Sequence, residues 1–387
     1  MEPLFIGSSR PAYASLIGQA HELSEASARL DALLSPKTAQ SLCELVAGMN
    51  CYYSNLIEGH RTLPIEIAQA LLDHEKKDLR SLALAHIKAD RWAQTQSLDT
   101  QSLLPFITET HARFCEHLPT EMLKLKDGSL MTPGTFRDQE IQVGRHIAPE
   151  AKALPLFLET FASIYGRYLE KTKAGGVSKL EGILAAFFAH HRFVWIHPFP
   201  DGNGRVARIL MDCMLRQCSV NRARLWSISR GFAKSADEYK SALAEADQSR
   251  MGDLDGRGNL SEKKLASFCS YAISIALDQV KFMNQMFSLE NFKFRADQYF
   301  QQVRFDLRPE SRHLFLHAFS AGEFERMEAG RITGLGERTA RNTLNQLVKE
   351  GLLRSDTPKG RVRVGFPVHA LGSLLPNLYP PGDLISI

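Results

Sequence analysis

Twelve consecutive residues, His197-Pro198-Phe199-Pro200-Asp201-Gly202-Asn203-Gly204-Arg205-Val206-Ala207-Arg208, bring together an imidazole, a carboxylate, two closely spaced glycines and two guanidiniums. His197 ordinarily titrates near neutrality, which suits it to taking a proton from an attacking hydroxyl. Asp201 offers a hard oxygen for Mg²⁺, an ion that binds through one or two carboxylates plus substrate phosphates. Gly202 and Gly204 allow the backbone to curl into a concave set of N–H donors, which a β-carbon would obstruct. Arg205 and Arg208 lie three apart and can fork onto phosphate oxygens. The following run, Ile209 to Leu215, reads as a helix, so the loop stands at a helix N-terminus where anions are favoured. Together these residues fit phosphoryl or nucleotidyl transfer.

The elements that must position this loop are helical. Ser178-Lys179-Leu180-Glu181 reads as a capping box, opening a helix through Phe193 that is apolar on most sides and belongs at the centre of a bundle. His190 and His191 within it read as packing and hydrogen-bonding residues, having no carboxylate or thiol partner at metal spacing. Ser35-Pro36 is an N-cap followed by proline at the first helical position. From there Ala39, Leu42, Val46, Met49, Tyr53 and Leu56 recur on one face, and Gly59 stops the helix. Between Gly134 and His146 the chain alternates as a strand pair does, and Tyr239 falls on a helix over 236–246. Asp253 to Leu260 fails as a calcium loop, because Arg257 holds a ligand position and Lys264 stands where the bidentate glutamate belongs; a turn ending at Ser261 as an N-cap accounts for it better.

The 197–208 segment resembles the Fic family signature, HPF-x-D/E-GNGR-x-x-R, at every specified position. The resemblance implies an enzyme that moves AMP from ATP, with Mg²⁺, onto a hydroxyl side chain of a target protein. It implies His197 as general base and Asp201 as metal ligand. Gly202, Asn203, Gly204 and Arg205 would hold the α- and β-phosphates, Arg208 the γ-phosphate, and Tyr239 would line the adenine pocket. Ser54-Asn55-Leu56-Ile57-Glu58-Gly59 matches the family's inhibitory motif, S/T-x-x-x-E-G/N, in the arrangement that precedes the catalytic core. Ser54 and Glu58 thereby become inhibitory residues, the Glu58 carboxylate occupying the Arg208 fork. The alternating segment corresponds to the family's flap, so Gln142, Val143 and Gly144 are expected to dock a target strand by backbone pairing.

The fold class expected is mainly α: a Fic helical bundle with a small β-hairpin flap, followed by a C-terminal winged helix-turn-helix domain. The boundaries expected are 1–105 for an N-terminal helical region, 106–285 for the catalytic core, and 286–387 for a linker helix and the winged domain. Three helices over 309–319, 322–329 and 337–350, then strands over 352–355 and 361–366, carry the last of these readings. Arg338, Arg341 and Asn342 on the recognition helix, with Lys359, Arg361 and Arg363 on the wing, make DNA a candidate partner. At 387 residues, 44% hydrophobic and 23% charged, the chain has ordinary globular composition. A net charge of +4 excludes a polycation that coats nucleic acid. No apolar run reaches membrane-spanning length. The start lacks a signal-peptide pattern, and the six cysteines form no CxxC pair, so the expectation is a cytoplasmic protein with reduced thiols and no zinc. Left open are a DNA-binding regulator that only senses nucleotide, a different donor group, removal of AMP by the same site, and a homodimer.

Overall fold

The computed structural model describes residues 1–72, 81–125 and 127–384. In chain order its helices are α1 (Pro11–Ala32), α2 (Pro36–Ile57), α3 (Pro64–Leu72), α4 (Leu82–Ala93) and α5 (Leu103–Glu116). A two-stranded hairpin follows, β1 (Gln142–Val143) and β2 (His146–Ile147), then α6 (Leu154–Lys171), α7 (Gly176–Ile196) and α8 (Asn203–Gln217). Next come α9 (Ile228–Lys234), α10 (Ala236–Ala246), α11 (Glu262–Phe287) and α12 (Leu289–Gln298). The C-terminal part holds α13 (Ser311–Ala321), β3 (Glu323–Phe324), α14 (Ala329–Thr333), α15 (Glu337–Lys349), β4 (Leu353–Arg354), β5 (Val362–Val364), α16 (Val368–Leu374) and α17 (Pro381–Leu384). The chain is thus mainly helical with small antiparallel sheets.

The bundle is organised around α7. Every residue from Gly182 to Phe193 on it is buried, and α6, α8, α1 and α11 pack around it, as a helix apolar on most faces requires. It starts at Gly176, a turn earlier than the capping box predicts. Gly175 and Gly176 both take positive φ and bend the chain into the helix ahead of Ser178, while Glu181 accepts a 2.7 Å hydrogen bond from the Tyr13 hydroxyl instead of capping. Helix α2 begins as its sequence dictates: Ser35 Oγ accepts from the Thr38 N–H at 3.2 Å, and Leu42, Val46 and Met49 are buried along one stripe. Gly59, at φ +83°, ends the helix after Glu58. No helix among the described residues is long and apolar enough to cross a membrane.

Two sequence expectations are corrected here. Residues 322–329 do not form one helix. Gly322 takes φ +92°, Phe324 pairs with Val362 in a sheet of order β3-β5-β4, and a capping box between Glu325 and Glu328 opens a short 3₁₀ turn before α14. Pairing buries Phe324, which a surface helix there would leave wet. The hairpin is also shorter than the alternation over 134–146 predicts, with ladder pairing confined to Gln142↔Ile147 and Val143↔His146.

Gly166 shows how closely α6 approaches its neighbour: a β-carbon there would lie 2.4 Å from the Thr100 Cα. Gly166→Ala is expected to destabilise the protein by about 1–3 kcal/mol through overpacking against immobile backbone, measured as a lower urea midpoint at unchanged slope.

Candidate functional site

The loop joining α7 to α8 turns on one residue. His197 caps α7 with φ 49° and ψ 62°, the left-handed region, which is uncommon for a residue with a β-carbon. Its Nδ1 lies 3.3 Å from the Val194 carbonyl. A carbonyl only accepts, so Nδ1 carries the proton and Nε2 keeps its lone pair. Burial lowers the His197 pKa below its ordinary value, aided by the charges of His146 and Arg137 against the pulls of the Val194 carbonyl and Asp201. The ring is therefore neutral at pH 7 and able to accept a proton.

Arg137, a residue to which the sequence reading gave no role, holds that turn. Its Nε donates to the His197 carbonyl at 2.8 Å, Nη1 to the Gln139 carbonyl at 2.8 Å, and Nη2 to the Pro149 and Ile196 carbonyls. Its backbone N–H donates to the Pro198 carbonyl at 2.8 Å. This buried guanidinium ties the root of the hairpin to the histidine's own peptide, which is why residues 134–141 run irregularly rather than as strands. His111 on α5 makes a second tie. Its ring stacks on Phe199 at 3.9 Å and 2°, accepts from the Gly134 N–H at 2.9 Å and meets the Asp201 carbonyl at 3.2 Å. Burial pulls its pKa down to about 4 against the Asp201 carbonyl and charge, so the ring is neutral and its Nε2–H is the donor. A single arginine or histidine among polar neighbours has no spacing signal, so neither tie was legible in the sequence.

Asn203 closes the loop from inside: its Oδ1 accepts from the Phe199 N–H at 2.9 Å and its Nδ2 donates to the Phe199 carbonyl at 2.7 Å. The side chain is thus engaged within the loop, with both of its amide groups bonded to Phe199 rather than open to the phosphate expected there. Gly202 sits at φ +82° and donates to Asp201 Oδ1 at 2.5 Å. The Asp201 side chain is 60% exposed and lies 3.5 Å from Arg205 Nη2. Arg205 is buried with its Nε and Nη1 lacking a partner among the described residues, and its guanidinium lies over the Phe114 ring at 4.6 Å. A buried cation with idle donors beside a glycine-lined helix start is suited to an anion.

The Arg208 guanidinium, by contrast, is engaged by α2. Its Nε donates to Ser54 Oγ at 3.0 Å, and its Nη2 to the Ser54 carbonyl at 3.0 Å and to Glu58 Oε1 at 2.7 Å. Glu58 Oε1 also lies where a β-carbon on Gly204 would sit, 2.1 Å from that position, so a carboxylate already rests over the first turn of α8. Burial pushes the Glu58 pKa up, but the attraction of Arg208 and Arg205, the Arg208 hydrogen bond and Lys240 outweigh it and hold it below the usual carboxylate range.

Tyr239 is buried beside this cluster. It stacks on Phe232 at 4.2 Å and its hydroxyl meets His190 Nε2 at 2.8 Å; burial raises its pKa to about 12. Gln142, Val143 and Gly144 form the exposed tip of the hairpin, with Val143 47% exposed and Gln142 Nε2 donating to the Gly144 carbonyl at 2.9 Å. His146 pins the hairpin to the core through the Trp195 carbonyl at 2.7 Å and Asp247 at 3.4 Å. In the C-terminal part, Arg338, Arg341 and Asn342 are exposed on α15. Arg361 pairs with Glu323 and Glu325, and Arg363 with Asp356, so two wing cations expected to face phosphate are engaged within the sheet.

The chain is similar to known proteins over the region that contains this site. Residues 103–215 match the Fic/DOC family. A stretch of 82 residues is 38% identical to the protein adenylyltransferase Fic of Drosophila persimilis and 39% identical to that of Drosophila melanogaster. It covers 21% of this chain and only 15% of each of those curated relatives. A crystal structure of a Fic family protein from Desulfovibrio desulfuricans superposes over 95% of this chain and 99% of its own with a TM-score of 0.50 at 17% identity, a likeness of fold.

Because Arg137 adds positive charge beside His197, Arg137→Gln is expected to raise the imidazole's pKa. A histidine NMR titration should place the wild-type midpoint below about 6.5 and the variant's closer to it; an unmoved midpoint would contradict this electrostatic account.

Proposed function

We propose, for a chain that carries a Fic/DOC domain at residues 103–215, that it transfers AMP from ATP to a hydroxyl side chain of a protein and that Glu58 restrains it. The observation carrying this reading is the seat of the Glu58 carboxylate, over Gly204 and on Arg208. A residue that places an anion there marks out the position that a phosphate would take.

The residues present fit a triphosphate with its metal. Arg205 has buried donors without partners among the described residues, Gly204 leaves a cradle that a β-carbon would fill, and Asp201 holds an accessible carboxylate. Arg205 and the N-terminal amides of α8 would bind the phosphates, Asp201 would bind Mg²⁺, and Arg208 would grip the terminal phosphate once Glu58 leaves it. Bound Mg²⁺ would neutralise charge on the phosphate oxygens. His197 Nε2 takes the proton of the incoming hydroxyl as its oxygen bonds to the α-phosphorus, and the bond to pyrophosphate breaks. The Val194 carbonyl keeps that ring in the required tautomer, and Arg137 holds the peptide from which the ring projects. Tyr239 and the hairpin tip 142–144 are proposed to flank adenine and the target strand. The exposed Arg338, Arg341 and Asn342 support a second partner, a nucleic acid, held by the C-terminal part as a winged helix.

Glu58→Gly is expected to raise incorporation of α-labelled ATP by tenfold or more, on the order of 1.4 kcal/mol. His197→Ala in that background should abolish it, and γ-label should not be incorporated. Incorporation of γ-label would make the enzyme a kinase and overturn the reading.

The sign of the Glu58 shift sets a pH window. Its carboxyl is held below the ordinary value, so the ion pair is complete above about pH 4.5 and is lost only as pH falls through the lower folded value. Wild-type activity relative to Glu58→Gly should stay constant between pH 8 and pH 5.5; a rise in that ratio on mild acidification would sink this assignment.

A further inference from the structure

Helix α2 is held on two sides at its last turns. One side presents Ser54 and Glu58 to Arg208. The other is covered by the C-terminal segment after α16. Asp383, buried on α17, accepts from the Tyr52 hydroxyl and pairs with Arg61. The Tyr53 hydroxyl donates to the Leu378 carbonyl at 3.1 Å. Tyr379 packs edge-on to Tyr52 at 5.3 Å and fits against Gly48, where a β-carbon would lie 3.3 Å from the Tyr379 hydroxyl. Arg230 on α9 anchors the same segment from the core, donating to the Asn377 carbonyl at 2.9 Å and to Gln279 at 2.8 Å. At its start α2 is tied again to the C-terminal part, Thr38 Oγ1 donating to the Phe319 carbonyl at 2.7 Å.

We propose that residues 377–384 are a strap that keeps the Glu58 helix in its restraining position, so that loosening the strap releases the site. This rests on the restraint proposed above and names what controls it. The two sets of contacts are close in sequence: Tyr52 and Tyr53 face the strap, and Ser54 and Glu58 face Arg208. Rigid helix geometry transmits a displacement at one to the other across less than two turns. Contacts made only in the restrained arrangement bias the equilibrium toward it, and deleting them shifts the population toward the open one. A carboxylate is a suitable fastener, because Asp383 is buried and its loss leaves the Tyr52 hydroxyl and Arg61 to find water instead.

The test uses the full chain with Asp383→Asn and Tyr52→Phe, each alone and combined with Glu58→Gly. Incorporation of α-labelled ATP and hydrogen exchange over residues 50–60 are the two readouts. The expected result is a fivefold or greater rise in incorporation for each single variant, no further rise in the Glu58→Gly background, and faster exchange at 54–58. The Tyr52→Phe variant removes one hydroxyl and keeps the ring, so it serves where Asp383→Asn fails to fold. Exchange at 54–58 that matches wild type in both variants overturns the strap. Faster exchange with wild-type incorporation, while Glu58→Gly is active, also overturns it as a control on the site. If Glu58→Gly itself shows no gain, the restraint reading falls; exchange then decides alone whether the strap holds the helix.

Discussion

The chain reverses between α7 and α8 within six residues, and it does so through a histidine held in a left-handed conformation that its β-carbon disfavours. Such a conformation persists only where surrounding contacts over-determine it. Here the contacts are the Arg137 guanidinium on the His197 and Ile196 carbonyls, the Asn203 side chain closing on Phe199, and the His111 ring beneath Phe199. The position of the imidazole, the exposure of the Asp201 carboxylate and the aim of the first α8 amides all follow from that one turn. Its fasteners come from α5, the hairpin root and α8 itself, so the loop is tied down on three sides although it is irregular.

The second constraint is electrostatic. The start of α8 gathers two buried arginines and a helix N-terminus in one place, an arrangement that favours an anion. In this structure the chain supplies one, the Glu58 carboxylate, and the pairing holds that group ionised. Removing one partner of such a pair leaves the other charge poorly compensated. The positive charge that Glu58 meets is what the proposed substrate would also meet, and on that proposal the helix and a nucleotide would compete for Arg208.

Helix α2 is the element through which distant parts of the molecule meet the site. It packs on α9, α4 and α3 on the core side and touches α13 and β5 in the C-terminal part. Its start is fixed by Ser35 and its end by Gly59, both local signals. Its last turns are bonded to groups more than three hundred residues away, the Asp383 carboxylate and the Leu378 backbone carbonyl.

How much of this could be read without coordinates differs from residue to residue. The 197–208 segment points to a chemistry because its residue types are dense and their order is local. The start of α2 at Ser35, its stop at Gly59 and the helical character of the bundle are equally local, since caps and apolar periodicity act within one turn. The pairing of Glu58 with Arg208 was expected from the motif, whereas the Ser54 bonds to Arg208 and the geometry of the pair came only from the fold. Arg137, His111 and Asp383 were invisible, because each acts by long-range contact with backbone carbonyls or a hydroxyl, and such partners leave no pattern in composition or spacing. The break at Gly322 and the strand after it were misread for the same reason: burial of Phe324 against Val362 is a tertiary gain that overrides local helix preference. The amino-acid order alone therefore determined which groups could do chemistry and where helices begin and end. Only the packed structure decided which groups surround the histidine and which distant carboxylate bonds to the last turns of α2, because those depend on distances that chain proximity does not set.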